Sequence, residues 1–116
     1  MNSKSFELLS RLRDFYRDSG PERLGVIKED EIRELSNGHS QPELGGMLSD
    51  EDMLLLIDAD ATWHTHPGAS SNTSMEDYDS FMAWPNLLHY IVGLDGISIY
   101  TIQNGALVVD LCPLKE

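Results

Sequence analysis

Apolar positions along this chain recur with a period that changes from segment to segment, and each change marks an element. Over residues 5–17, Phe6, Leu8, Leu9, Leu12, Phe15 and Tyr16 return at three- and four-residue steps with Arg11, Arg13, Asp14 and Arg17 between them, the pattern of an amphipathic helix. Asp18-Ser19-Gly20-Pro21 stops it. Residues 22–27 and 31–35 read as a short strand pair around the charged Lys28-Glu29-Asp30. A turn-rich stretch from Ser36 to Pro42 predicts a loop. Ser49-Asp50-Glu51-Asp52 then starts a helix carrying Met53, Leu54, Leu55, Leu56 and Ile57, with acidic groups suited to the positive helix end. Residues 61–66 form a strand that Pro67 ends, and residues 68–72 a loop. A helix from Thr73 or Ser74 through Met82 follows, and then three strands over 88–92, 97–102 and 107–111. Asp95-Gly96 and Asn104-Gly105 supply the hairpin turns between them. The order predicts an α/β domain with a mixed sheet flanked by helices.

Composition narrows what such a domain does. With 116 residues and 41% hydrophobic content, one domain over 1–116 is expected, large enough to bury a core. Eight basic against 20 acidic residues give a net charge of -12, which repels phosphate backbones and anionic lipid and argues against nucleic acid or a membrane as partner. Cys112 is the only cysteine, so no intrachain disulfide forms, and no apolar run is long enough for a signal peptide or membrane span. A cytoplasmic location is expected, or a virion-associated one if the protein is carried there by assembly.

The candidate chemistry lies in His64-Thr65-His66-Pro67 and Ser74-Met75-Glu76-Asp77. On a strand, residues i and i+2 share a face, so His64 and His66 can both reach one ion. An isolated pair of this kind reads as plainly as two ordinary strand histidines. Ser74 and Asp77 share a helix face at i and i+3, and the same pattern, or Thr73 to Glu76 one residue earlier, is that of a capping box. Taken together, two imidazoles and a carboxylate make a three-ligand set that leaves a fourth position open. In zinc sites that position normally holds water, whose pKa falls from about 15.7 to about 7. Elsewhere the plain readings hold. His89 in an apolar run is a satisfied core or alternating strand histidine, His39 is an exposed turn residue, and Cys112 is a small apolar residue. Trp63 and Trp84 pack, with Trp63 placed to shape the floor of a pocket beside His64.

In combination, these motifs resemble the JAMM (MPN-plus, Mov34/PAD-1) zinc metallopeptidase signature. That family also needs a glutamate on an earlier strand, and Pro21-Glu22-Arg23-Leu24-Gly25-Val26-Ile27 is similar to its Pro-x-Glu-x-x-Gly context except that proline directly precedes the glutamate. The resemblance spans roughly residues 3 to 110. With Leu48-Ser49-Asp50-Glu51-Asp52 and Trp84-Pro85 it looks most like the small, lambda K-like JAMM domains of phage tail assembly peptidases. Leu24 stands where many small relatives have cysteine, a packing position.

The resemblance implies a single cytidine-deaminase-like JAMM domain with one Zn2+ per chain held by His64, His66 and Asp77. It implies Glu22 as the general base that takes a proton from water and delivers it to the leaving amine, and Ser74 as a donor to the oxyanion. A peptide or protein substrate follows, in phage tail assembly or cell-wall processing. Loops at 68–73 and 83–86 are short for gripping ubiquitin. The alternative from a different class is a non-catalytic, zinc-stabilised structural or interaction module of a phage tail or other assembly.

Overall fold

The computed structural model describes residues 3–35 and 50–112. The expected loop from Ser36 to Pro42, His39 within it, and Leu48 and Ser49 at the head of the second expected helix lie outside the described residues. Three helices and six strands alternate along the described chain: α1 (Ser3–Arg13), β1 (Leu24–Lys28), β2 (Glu31–Glu34), α2 (Asp50–Asp58), β3 (Ala61–Thr65), α3 (Met75–Ala83), β4 (Leu88–Gly93), β5 (Gly96–Gln103) and β6 (Ala106–Cys112). The strands form one sheet in the order β2-β1-β3-β4-β5-β6. Only β3 and β4 run parallel, so the connection between them crosses over the sheet and carries α3. This is the mixed α/β arrangement that the order of elements predicts.

The two sheet faces bury different sets of side chains because strand residues alternate. Ile27, Ala61, Trp63, Tyr90, Val92 and Ile97 meet Leu8 and Leu12 of α1 on one face. On the other, Leu24, Val26 and Leu35 pack with Leu56 of α2, and Phe81 of α3 packs on Ile91 and Tyr100. Leu24 is thus a packing residue.

Two boundaries and one side-chain orientation differ most from expectation. Helix α1 ends at Arg13 rather than Arg17, since Asp14, Phe15 and Tyr16 turn back in tighter i→i−3 bonds. That frees Phe15 to tilt against Trp63, with ring centroids 4.6 Å apart, and Tyr16 to accept a hydrogen bond from Gly68 N–H through its hydroxyl. Strand β1 begins at Leu24, not Glu22, because the Arg23 N–H is taken by the Thr65 hydroxyl at 3.0 Å instead of a ladder carbonyl. Trp63 points to the α1 face, opposite to His64, and so is no part of a pocket floor beside it.

His89 is a core histidine, 1% exposed, stacked on Phe81 at 4.3 Å between centroids. Its Nδ1 lies 2.8 Å from the Thr62 hydroxyl and its Nε2 donates to the Trp84 carbonyl at 2.9 Å. Burial holds its pKa down to about 4, against the partial opposition of the Trp84 carbonyl. The unfolded chain, with a histidine pKa of about 6.5, therefore takes up this proton first. The stability that neutral His89 confers is complete above about pH 6.5 and is lost as pH falls toward the folded value, by about 3 kcal/mol in all. His89→Gln is expected to flatten the fall in urea midpoint between pH 6.5 and 4 relative to wild type, with chelator present in both.

Candidate metal centre

His64 comes from β3 and faces α3, while His66 follows the strand end, where its N–H donates to the Val92 carbonyl of β4 at 2.9 Å. Above them α3 begins. Ser74 is its N-cap: the Ser74 hydroxyl oxygen accepts from Asp77 N–H at 3.1 Å, and Asp77 Oδ2 accepts from Ser74 N–H at 3.2 Å. The box settles the choice between Thr73 and Ser74, and it turns Asp77 inward. Because the cap uses a lone pair of the Ser74 hydroxyl, the hydroxyl proton is not consumed by that bond.

Three side chains converge at the capped end. His64 Nε2 lies 3.2 Å from Asp77 Oδ1, His66 Nε2 lies 3.0 Å from Asp77 Oδ2, and the two Nε2 atoms are 3.1 Å apart. One ligand atom from each residue falls within 4.8 Å of the others, a group that could hold a metal ion. His64 is 3% exposed and the Asp77 side chain 16%, so the cluster is largely withdrawn from solvent. Burial alone would raise the Asp77 pKa, but hydrogen bonds from both imidazoles, the His64 charge and the Ser74 N–H overcome it and hold the carboxyl far below its usual range. For His66, burial pulls the pKa down and is outweighed by bonds to Asp77 and to the Ser70 carbonyl, and by the charges of Asp77 and Glu22, which leave it raised. This Coulombic effect puts the half-buried Glu22 within electrostatic reach of the cluster, from the turn just before β1.

The backbone at Glu22 is held from the next residue on. Thr65, buried between the two histidines, donates its N–H to the Arg23 carbonyl at 2.9 Å and accepts from Arg23 N–H. The Arg23 guanidinium then forks onto both Glu34 oxygens at 2.8 Å and lies over the Phe15 ring at 4.9 Å.

The loop after His66 is built as tightly. His66 Nδ1 donates to the Ser70 carbonyl at 2.8 Å, which fixes a proton on Nδ1 and makes Nε2, the nitrogen facing Asp77, the one whose proton a metal ion would displace. Ser71 is fully buried: its N–H donates to Asp95 Oδ1 at 2.8 Å, its hydroxyl lies 2.6 Å from that of Ser98, and its carbonyl accepts from the Tyr100 hydroxyl at 2.9 Å. None of these partners follows from motif spacing; Ser98 alone carries a signal, as a hydroxyl alternating inward between Ile97 and Ile99. Gly93 makes the close packing possible, since a Cβ there would come within 2.4 Å of Ser71 N and 2.6 Å of the Ser70 carbonyl carbon.

No protein-family model and no curated protein matches the chain. A solved structure does. The chain shares its fold with the solution structure of protein DSY2949 from Desulfitobacterium hafniense at a TM-score of 0.59 and 20% identity, over 100% of this chain and 91% of the other. At that identity the likeness speaks for the α/β fold alone. Among the described residues no helix is long and apolar enough to cross a membrane.

Gly93→Ala is expected to push the 69–71 backbone off β4 at a cost of about 1–3 kcal/mol, seen as a lower urea midpoint. Loss of the His66 Nδ1–H signal from nitrogen-15 spectra should accompany it.

Proposed function

We propose that this protein is a zinc-dependent metallopeptidase or isopeptidase of the JAMM type, with the cytidine-deaminase-like form of the α/β fold, hydrolysing an amide bond in a peptide or protein. The observation that carries the reading is the convergence of His64, His66 and Asp77 with Nε2, Nε2 and carboxylate oxygen all within 4.8 Å. The donor set fits zinc: two imidazole nitrogens and one carboxylate, with an open fourth direction, is a ligand class zinc takes in hydrolases. The orientation fits too, because Ser70 holds a proton on His66 Nδ1 and so directs an ion to Nε2, which would bind in place of its proton.

Zinc, when bound, supplies Lewis acidity toward water and toward a carbonyl oxygen. Glu22, on the approach to β1, takes the proton from the attacking water and passes it to the leaving amine as the C–N bond breaks. The Ser74 hydroxyl, its proton still available, donates to the oxyanion that develops on the carbonyl. Thr65 and Arg23 fix the backbone next to Glu22, so the base approaches the histidines along a set direction. The acidic chain, at -12, favours a neutral or basic substrate segment. A structural phage or cell-wall peptide suits this reading better than a folded ubiquitin, since the loop from Gly68 to Thr73 is pinned to β4 and β5 rather than extended outward.

Elemental analysis of wild type purified without added zinc is expected to give about one zinc per chain, lost in His66→Ala and Asp77→Ala. Glu22→Gln should keep the zinc and lose hydrolysis of a peptide library by more than the about 10²- to 10³-fold expected from Ser74→Ala. No zinc in folded wild type after add-back overturns the hydrolase. Zinc that raises the unfolding temperature with no cleavage of any library peptide leaves a zinc-stabilised structural or interaction module instead.

A further inference from the structure

We infer that Asp95 and Tyr100 are positioning residues for the metal centre, Asp95 acting through the peptide plane of Ser70 and Ser71 and Tyr100 through the plane that follows it. The inference rests on the zinc reading above and deepens it. A peptide unit is planar, so its C=O and N–H point in opposite directions and turn together. In the Ser70–Ser71 unit the carbonyl accepts from His66 Nδ1 at 2.8 Å, while the N–H donates to Asp95 Oδ1 at 2.8 Å. Asp95 therefore sets the angle at which the Ser70 oxygen meets the imidazole, from a hairpin turn on the far side of the loop. Tyr100 holds the next joint by donating to the Ser71 carbonyl at 2.9 Å, and the Ser71 and Ser98 hydroxyls pair at 2.6 Å beneath it.

The burial of this network argues for a task. Ser71, Ser98 and Tyr100 are 0%, 3% and 4% exposed, with Tyr100 packed on Phe81 and Ile91, where apolar side chains would pack without any demand for partners. Dry hydroxyls are costly unless bonded, and these are bonded to each other and to one loop residue. Three of its bonds, from Asp95, Ser98 and Tyr100, end on Ser71, whose neighbour fixes His66. Outer partners of a metal-binding histidine fix its ring and tautomer, and losing one typically weakens metal binding about 10- to 100-fold.

The test uses zinc itself, titrated into the full chain against a chromophoric chelator. Asp95→Ala and Tyr100→Phe are expected to weaken zinc binding by about 10-fold or more, while Asp95→Asn, which keeps an acceptor oxygen, restores it. Asp95 is exposed and Tyr100→Phe keeps the ring against Phe81, so both variants are expected to fold. Nitrogen-15 spectra of the zinc-free proteins should show a hydrogen-bonded His66 Nδ1–H in wild type and Asp95→Asn, and its loss or weakening in Asp95→Ala. Wild-type affinity in Asp95→Ala and Tyr100→Phe overturns the inference while leaving the zinc reading standing. An Asp95→Ala loss that Asp95→Asn does not restore assigns the effect to the turn and overturns it as well. Wild type that takes up no zinc overturns both readings together.

Discussion

The parallel pairing of β3 with β4 is the constraint on which the candidate centre depends. A parallel neighbour cannot be reached by a tight turn, so the chain leaving β3 must travel back across the sheet before β4 can begin. That journey takes it from His66 through the pinned loop and along α3. It brings the start of α3 down over the end of β3. The capping box then decides which α3 side chain faces the histidines, because the same Ser74–Asp77 bonds that satisfy the first turn aim the Asp77 carboxylate inward. Topology, capping and ligand placement are thus one arrangement.

Charge within the cluster shows why it invites a cation. Asp77 is kept ionised against its own burial by two imidazoles that each direct Nε2 toward it. Two imidazole nitrogens 3.1 Å apart are a poor neighbourhood for two protons. A single divalent ion between the three groups would replace shared and competing protons with one charge that all three favour. The contrast with His89 is instructive: two neutral hydrogen bonds and a stacked phenyl ring satisfy it fully, and it is no member of the cluster.

Much of this was legible in the sequence. Periodicity located the three helices and six strands of the described residues, since most have a clear apolar face and either a turn or a capping signal at their ends. The spacing of His64, His66, Ser74 and Asp77 placed them on shared faces, because strand and helix repeats are geometric. Less visible was anything set by tertiary bonds. The early end of α1 follows from Phe15 reaching Trp63, and the late start of β1 from the Thr65 hydroxyl replacing a ladder partner. Trp63 was misjudged because adjacency in a strand means opposite faces. The support of His66 was hidden for a different reason: Ser70 acts through a backbone carbonyl, to which any residue type would contribute equally.

The three side chains of the cluster all come from the short run between His64 and Asp77, held by β3, its loop and α3, whereas Glu22 arrives from the segment just before β1, far earlier in the chain. Cluster and neighbouring carboxylate are therefore encoded in different stretches of chain. A substitution at Glu22 would change the charge beside His66 while leaving all three members of the cluster in place. For a sheet of this design, the cluster and the charge that faces it are separately heritable.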